Sequence, residues 1–181
     1  MARQDREPEG SLMFNYRNLC LGGFAICGFA MAFALYLQEF MGLEPCPMCI
    51  FQRVAMIAAG AFFLLGAIHN PKQAGQWVYA ALADLAAIVG ALIAARHVWL
   101  QSLPPDQVPA CGPTLDYLMS MFPLSEVVTM ILKGDGNCAK IDAAWLGLSL
   151  PAWTLVSFIG LSIYASLMPI VAKLTAKKEF N

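Results

Sequence analysis

The chain has 181 residues, of which 59% are hydrophobic and only 13% are charged, and its mean hydropathy is +0.62. Soluble domains carry about 45–50% apolar and about 25% charged residues, so this composition excludes an ordinary water-soluble globule and a disordered chain. The net charge of −1 provides no whole-chain basic surface, which excludes a nucleic-acid binder. The sequence therefore predicts an integral membrane protein with one domain over residues 1–181.

Four apolar segments are each long enough to cross the hydrocarbon core of a bilayer, which requires about 20 residues in a helix. In chain order they cover residues of about 19–37, 48–68, 77–95 and 149–172. The first is long for the apolar part of a signal peptide, so we expect it to be retained. The third contains Asp84, which we expect to contact Arg17, Tyr79 or another helix, because charges inside a membrane find internal partners. This pattern predicts an all-α membrane bundle of four helices.

The positions of lysine and arginine orient these helices, because basic residues accumulate on the cytoplasmic side. With both termini in the cytoplasm, that side receives Arg3, Arg6, Arg17, Lys72, Lys173, Lys177 and Lys178. The opposite side receives only Lys133 and Lys140, while Arg53 and Arg96 lie near helix ends. The loops at about residues 38–47 and 97–148 are therefore predicted to face away from the cytoplasm.

The longer outer loop contains an apolar, sparsely charged stretch from Leu115 to Leu132, with Pro123 inside it. We expect a short amphipathic helix here, which either lies on the membrane surface or packs against the rest of the protein. Pro104, Pro105 and Pro109 exclude regular structure near the start of the loop.

The six cysteines divide by side of the membrane. Four lie on the outer side, where disulfides persist: Cys46, Cys49, Cys111 and Cys138. Cys20 and Cys27 lie in the first helix near the cytoplasmic side, and we expect them to be small packing residues, since free cysteine is often simply buried.

The motif Cys46-Pro47-Met48-Cys49 begins the second helix at its outer end. Two sulfurs three residues apart can close a small, strained and easily reduced ring, and Pro47 suits the first helical position. The positive end of the helix dipole stabilises a thiolate there, and Arg53, one turn beyond Cys49, adds a fixed positive charge. These features predict a reactive cysteine pair.

Three interpretations of the four outer cysteines stay open at this point. A zinc site is disfavoured because only one C-x-x-C pair exists and the other two cysteines are widely separated. Structural disulfides could brace a four-helix scaffold without turnover, although the tight pair would brace very little. The spacing favours two redox-active pairs that react by thiol–disulfide exchange.

His97 lies at the outer end of the third helix, in the same leaflet as Cys49 and Arg53. A lone histidine at an interface is more often a packing residue. Here a thiolate, a guanidinium and an imidazole lie at neighbouring helix ends. Such a pocket suits a lipid-soluble electron acceptor with carbonyl oxygens, and we hypothesise a quinone.

Taken together, these residues resemble the DsbB family of disulfide bond formation proteins over nearly the whole chain. The resemblance is carried by Cys46-Pro47-Met48-Cys49 with Arg53, His97, Cys111, Pro123-Leu124-Ser125-Glu126-Val127, Gly136-Asn137-Cys138-Ala139 and Leu146-Gly147-Leu148-Ser149-Leu150-Pro151-Ala152-Trp153. It implies a protein-disulfide:quinone oxidoreductase of the bacterial inner membrane. Such an enzyme reoxidises a periplasmic DsbA-type thiol oxidase and passes the electrons to ubiquinone or menaquinone.

The resemblance also implies a role for each site residue. Cys111 and Cys138 would form the disulfide that meets the partner, with Cys111 in the mixed disulfide. Cys138 would then exchange with Cys46, which frees Cys49 to donate to the quinone. Arg53 and His97 match positions of the quinone pocket, and no metal is expected; the main departure is Gln52, where some relatives have an acidic residue.

A relative that serves one dedicated partner is the nearest alternative, while a vitamin K epoxide reductase-like protein is disfavoured by the cysteine order.

Overall fold

The structure is a computed structural model that describes residues 15–113, 115–141 and 144–179. Its elements are α1 (Tyr16–Met41), α2 (Pro47–His69), α3 (Gln73–Gln101), α4 (Leu115–Met121), α5 (Leu124–Lys133), α6 (Gly136–Ala139), β1 (Ala144–Trp145), β2 (Leu148–Ser149) and α7 (Leu150–Glu179). Helices α1, α2, α3 and α7 are long and apolar enough to cross a membrane, which confirms the predicted four-helix architecture. Arg3 and Arg6, used above for the orientation, lie outside the described residues.

Small residues allow the long helices to pack closely. Alanines fill much of the buried face of α3, including Ala83 and Ala87, which are fully buried. At Gly90 on the same helix, an added Cβ would lie 2.3 Å from the ring of Phe158 on α7. Small residues at such crossings let backbones approach inside a membrane, where the hydrophobic effect between helices is weak. The large side chains point outward instead, as at Phe29 and Leu92, which suits contact with lipid.

Asp84 is held by the neighbouring helix α7. The hydroxyl of Ser162 donates a hydrogen bond to one carboxylate oxygen, and that of Ser166 donates to the other at 3.2 Å. The expectation of a polar contact with another helix is thus confirmed. Tyr79, one of the alternatives, instead hydrogen-bonds through its hydroxyl to the imidazole of His69.

The outer region differs from the sequence prediction in the stretch around Pro123. The short amphipathic helix expected within Leu115 to Leu132 is present as α5, but the chain also forms α4, and the two helices lie on either side of Pro123. Proline cannot donate a backbone hydrogen bond and disfavours helical geometry in the residue before it, so the first helix ends there. Helix α5 packs against the rest of the protein through Val127 and Ile131, which are buried.

Arg96 joins this outer region to the end of α3. Its guanidinium donates hydrogen bonds to the carbonyl oxygens of Leu132 at 3.2 Å and Lys133 at 3.1 Å, the last turn of α5. A cation at this position satisfies carbonyls that have no partner within the helix and complements the negative end of the helix dipole. The same guanidinium lies 4.0 Å from the ring centre of Trp99. Helix α5 is therefore fixed across the outer end of the bundle.

A short antiparallel ribbon, absent from the all-α prediction, leads into the last helix. Strands β1 and β2 pair Ala144 with Ser149 and Trp145 with Leu148. The two turn residues between them, Leu146 and Gly147, both have positive φ, as a two-residue hairpin turn requires.

Candidate thiol redox site

Cys46 and Cys49 lie together at the start of α2. Cys46 is the N-cap residue and Pro47 occupies the first helical position, as the sequence predicted. The backbone N–H of Cys49 donates to the Cys46 sulfur at 3.4 Å, and the two sulfurs are 3.2 Å apart. A disulfide requires about 2.05 Å between sulfurs, so only a small movement separates this dithiol from the oxidised pair.

His97 faces this pair from α3 and is almost fully buried. Its Nε2 atom lies 3.8 Å from the Cys46 sulfur and 3.0 Å from the carbonyl oxygen of Cys138. Its Nδ1 atom lies 3.2 Å from the side-chain amide nitrogen of Gln52. An amide nitrogen can only donate, so this network assigns the imidazole proton to Nε2, which donates to the Cys138 carbonyl.

Cys138 lies on α6, directly beside Cys46. The sulfurs of Cys46 and Cys138 and the Nε2 atom of His97 all lie within 4.8 Å of one another. Asp135 caps α6, because its carboxylate accepts a hydrogen bond from the Cys138 N–H at 3.0 Å. The neighbouring Cys46 thiol and then burial raise the pKa of Cys138, which therefore favours its neutral thiol form. One sulfur of the outer loop is thus brought to the C-x-x-C pair.

Cys111 is exposed, in contrast to Cys138, which is 1% exposed. Its segment packs against the start of α6, where the N–H of Gly136 donates to the Ala110 carbonyl at 3.1 Å. A Cβ added at Gly136 would lie 2.8 Å from the carbonyl oxygen of Pro109 and 3.1 Å from the Cys111 sulfur. Glycine therefore permits the close approach that brings Cys111 towards α6. All six cysteines of the chain are free thiols here.

Arg53 has a different neighbour from His97. Its guanidinium donates to the side-chain oxygen of Gln38 at 2.6 Å and to the carbonyl oxygen of Ala34 at 3.3 Å, both on α1. The expectation that this arginine needs a polar partner near the interface is confirmed. The side chain of Gln52, the residue before Arg53, instead contacts His97 on α3. The structure therefore brings His97 to Cys46 and Cys138, and Arg53 to α1.

Sequence reasoning missed the role of Gln52, which is 4% exposed and holds the imidazole of His97. The available signal was its polarity inside an apolar span, three residues after Cys49, because polar groups within a membrane usually mark function.

The two inner cysteines pack as expected. Cys20 and Cys27 are both buried on α1, and the Cys20 thiol lies 3.6 Å from the Met168 sulfur.

Two clefts adjoin the helices. The first, of about 270 Å³, lies in the outer region beside the thiols, and its lining includes Pro47, Leu118, Ile131 and Cys138. The second, of about 330 Å³, is an apolar groove between α3 and α7 whose lining contains no cysteine. Of these two clefts, the first borders the thiols.

The chain is similar to one family of proteins. The family model described as Disulfide bond formation protein DsbB matches residues 16–168. The Disulfide bond formation protein B of Saccharophagus degradans is 52% identical over 147 residues, 81% of this chain and 89% of the relative. Its namesake from Hahella chejuensis is 56% identical over 136 residues, 75% of this chain and 82% of the relative. The Disulfide bond formation protein B of Methylococcus capsulatus is 48% identical over 151 residues, 83% of this chain and 92% of the relative.

Proposed function

The chain belongs to the DsbB family of disulfide bond formation proteins, and we propose that its four outer cysteines form two redox pairs connected through Cys138 and Cys46. Membership makes the chain a membrane oxidoreductase that reoxidises a DsbA-type thiol oxidase. One observation carries the proposed route: the sulfur of Cys138 and that of Cys46 lie within 4.8 Å of each other. Exchange between the two pairs requires such proximity, because the attacking thiolate must reach a disulfide sulfur.

Cys111 is proposed to receive the partner. A thiolate of the reduced partner attacks Cys111 in a Cys111–Cys138 disulfide, the bond between the two cysteines breaks, and Cys138 leaves as a thiolate. The second thiol of the partner then resolves the mixed disulfide, which leaves the partner oxidised and Cys111 reduced. The exposure of Cys111 supports this role, since a soluble protein can reach it, whereas Cys138 is buried.

Cys138 is proposed to pass the electrons inward. Its thiolate attacks Cys46 of a Cys46–Cys49 disulfide, which forms a Cys138–Cys46 bond and releases the Cys49 thiolate. Cys111 then attacks Cys138, restores the loop disulfide and leaves Cys46 and Cys49 reduced.

His97 is proposed to position this exchange. Its Nε2–H donates to the backbone of Cys138 and lies 3.8 Å from the sulfur of Cys46. It therefore holds the segment that carries Cys138 beside Cys46.

The residues around Cys49 fit a quinone such as ubiquinone or menaquinone. Cys49 and Arg53 are both half-buried near the outer end of α2, where a lipid-soluble molecule arrives from the bilayer. The two α1 contacts of Arg53 leave other N–H groups of its guanidinium to bind a quinone carbonyl, and we place His97 on the far side of the same pocket. When bound, the quinone accepts the two electrons and two protons released as Cys46 and Cys49 become a disulfide again.

The location that suits this chemistry is the bacterial inner membrane. The excess of basic residues on one side supports cytoplasmic termini, which places the four thiols of the site in the periplasm beside the DsbA-type partner.

The test is an anaerobic mixture of this protein, a reduced DsbA-type protein and a soluble quinone analogue, followed by quinone absorbance. We expect catalytic quinone reduction by the wild type and none by Cys49→Ser, which should still oxidise the partner once through its Cys111–Cys138 disulfide. The control Cys27→Ser, which alters a buried cysteine on α1, should retain turnover. Quinone reduction that survives in Cys49→Ser would overturn the proposed route, and no reduction by the wild type would favour a disulfide-braced scaffold.

A further inference from the structure

We propose that the reduced site binds Zn²⁺ through Cys46, Cys138 and His97, and that the bound ion blocks thiol exchange. The three ligand atoms come from α2, α6 and α3, and all lie within 4.8 Å of one another. Thiolate sulfur and imidazole nitrogen are the ligands that zinc prefers in proteins. The inhibitory part of this inference rests on the proposed function, whereas the binding part rests on the geometry.

The distances suit a tetrahedral ion. Zinc–sulfur bonds of about 2.3 Å and zinc–nitrogen bonds of about 2.0 Å place neighbouring ligand atoms roughly 3.5–3.8 Å apart. The Cys46 sulfur and the His97 Nε2 atom are already 3.8 Å apart. Only a modest movement of Cys138 on its short helix completes the set of three, because its sulfur already lies within 4.8 Å of both.

This site differs from the zinc site that the cysteine spacing disfavours. Cys111 is exposed and is not among the three clustered ligands. The third ligand is instead His97, which we expected from the sequence to line a quinone pocket. Three protein ligands leave the fourth position of the ion open to water. The sulfur of Cys49 lies 3.2 Å from that of Cys46, at the edge of the cluster.

Gln52 provides the outer support that histidine ligands of metals require. When Nε2 binds an ion, the imidazole proton moves to Nδ1, which must then donate to an acceptor. The side-chain amide of Gln52 lies 3.2 Å from Nδ1 and can present its oxygen after a half-turn about its last bond. Because it carries both a donor and an acceptor, Gln52 suits the imidazole with and without a metal.

The ion would act on the two sulfurs that the exchange uses. Zinc binds cysteine as the thiolate, so a Cys46–Cys49 or Cys111–Cys138 disulfide removes a ligand and prevents binding. In the reduced protein, the ion would hold Cys46 and Cys138 together and deny both sulfurs to exchange. Zinc would therefore trap the fully reduced enzyme.

Binding can be measured on the purified full chain in detergent, reduced and kept anaerobic, by calorimetry with Zn²⁺ and by the absorption spectrum with Co²⁺. We expect one ion per chain, a tetrahedral cobalt spectrum with thiolate charge-transfer bands, and no binding by the oxidised wild type. Cys46→Ser and Cys138→Ser should lose binding, whereas Cys111→Ser and Cys49→Ser should retain it. Gln52→Leu should weaken binding about 10–100-fold, as expected for loss of a group that supports a ligand.

Two results would overturn the zinc site. Loss of binding in Cys49→Ser with retention in Cys138→Ser would indicate chelation by the C-x-x-C pair alone, and equal binding by oxidised and reduced wild type would exclude the thiols. The oxidised wild type needs no substitution, so a folding defect in a variant cannot decide the matter. Turnover of the metal-free protein, measured separately, tests the proposed function, so a protein that turns over without binding zinc contradicts this inference alone.

Discussion

The Nε2 atom of His97 lies 3.8 Å from the sulfur of Cys46, on the opposite side of a helix–helix contact. The same nitrogen donates to the carbonyl oxygen of Cys138 at 3.0 Å. One imidazole therefore connects the first residue of the C-x-x-C motif to the loop cysteine that we propose exchanges with it. Its own orientation is fixed by Gln52 at the other ring nitrogen.

Replacing His97 with asparagine should slow the transfer from Cys138 to Cys46. Loss of the hydrogen bond to the Cys138 backbone, at about 1 kcal/mol, corresponds to a rate lower by about fivefold if the bond acts in the transition state. Single-turnover quinone reduction by protein with a reduced loop pair measures this step. His69→Asn is the matched control, because His69 is exposed at the other end of α2. Equal rates for His97→Asn and the wild type would remove His97 from the exchange.

The sequence could predict the helices and the chemistry of the site but not how its residues pair. Apolar length alone indicates four spans, and the C-x-x-C motif at a helix start indicates the reactive pair. The contact of His97 with Cys138 joins residues 41 positions apart, and it depends on how the outer region folds back over the helix ends. The contacts of Gln52 and Arg53 could not be predicted from the sequence for the same reason. Consecutive residues on a helix point about 100° apart, but only the packing of α1 and α3 decides what each one meets.

The neighbouring Cys46 thiol and burial raise the pKa of Cys138, so its alkylation should depend on pH differently from that of an ordinary cysteine. The thiolate is the reactive form, and an ordinary thiol is half ionised near pH 8.5. In the reduced, folded protein with a chelator present, we expect the rate at Cys138 to keep rising about tenfold per pH unit beyond that value. In the unfolded protein the rate should level off near pH 8.5.

Mass spectrometry of alkylated peptides measures both profiles. Because the contact with Cys46 is the largest cause of the shift, Cys46→Ala should move the profile of folded Cys138 towards lower pH. Identical profiles in the folded and unfolded protein would contradict the raised pKa.

Replacing Gly136 with alanine should disturb the pairing of Cys111 with Cys138. The added Cβ would lie 2.8 Å from the Pro109 carbonyl and 3.1 Å from the Cys111 sulfur, so the segment must move away. Overpacking of this kind costs about 1–3 kcal/mol, and we expect the loop disulfide to form several-fold more slowly. The rate of Cys111–Cys138 formation in reduced protein after addition of quinone measures the effect. Gly28→Ala, with no atom within 4 Å of the added Cβ, should leave the rate unchanged.

Replacing Arg53 with glutamine should weaken the use of quinone. A charged hydrogen bond is worth about 1.5–3 kcal/mol, which corresponds to a KM for quinone higher by about 10–100-fold. Formation of the mixed disulfide between Cys111 and the partner should stay within about twofold of the wild type, because the contacts of Arg53 lie on α1, away from the loop. The same assays on Arg17→Gln, an exposed arginine at the N-terminal end of α1, provide the control. An unchanged KM in Arg53→Gln would exclude this arginine from the quinone pocket.

Asp84 should matter for stability and not for turnover. It lies 13 residues before His97 on α3, or about 20 Å along the helix axis, so it is far from the thiols. Both of its oxygens accept hydrogen bonds from serines on α7, and such bonds between membrane helices average about 0.6 kcal/mol each. Asp84→Asn retains one acceptor and should leave quinone reduction unchanged. Asp84→Leu should lower the free energy of unfolding by about 1 kcal/mol, measured by denaturation in mixed micelles. A loss of quinone reduction in a well-folded Asp84→Asn protein would instead give this carboxylate a part in proton uptake.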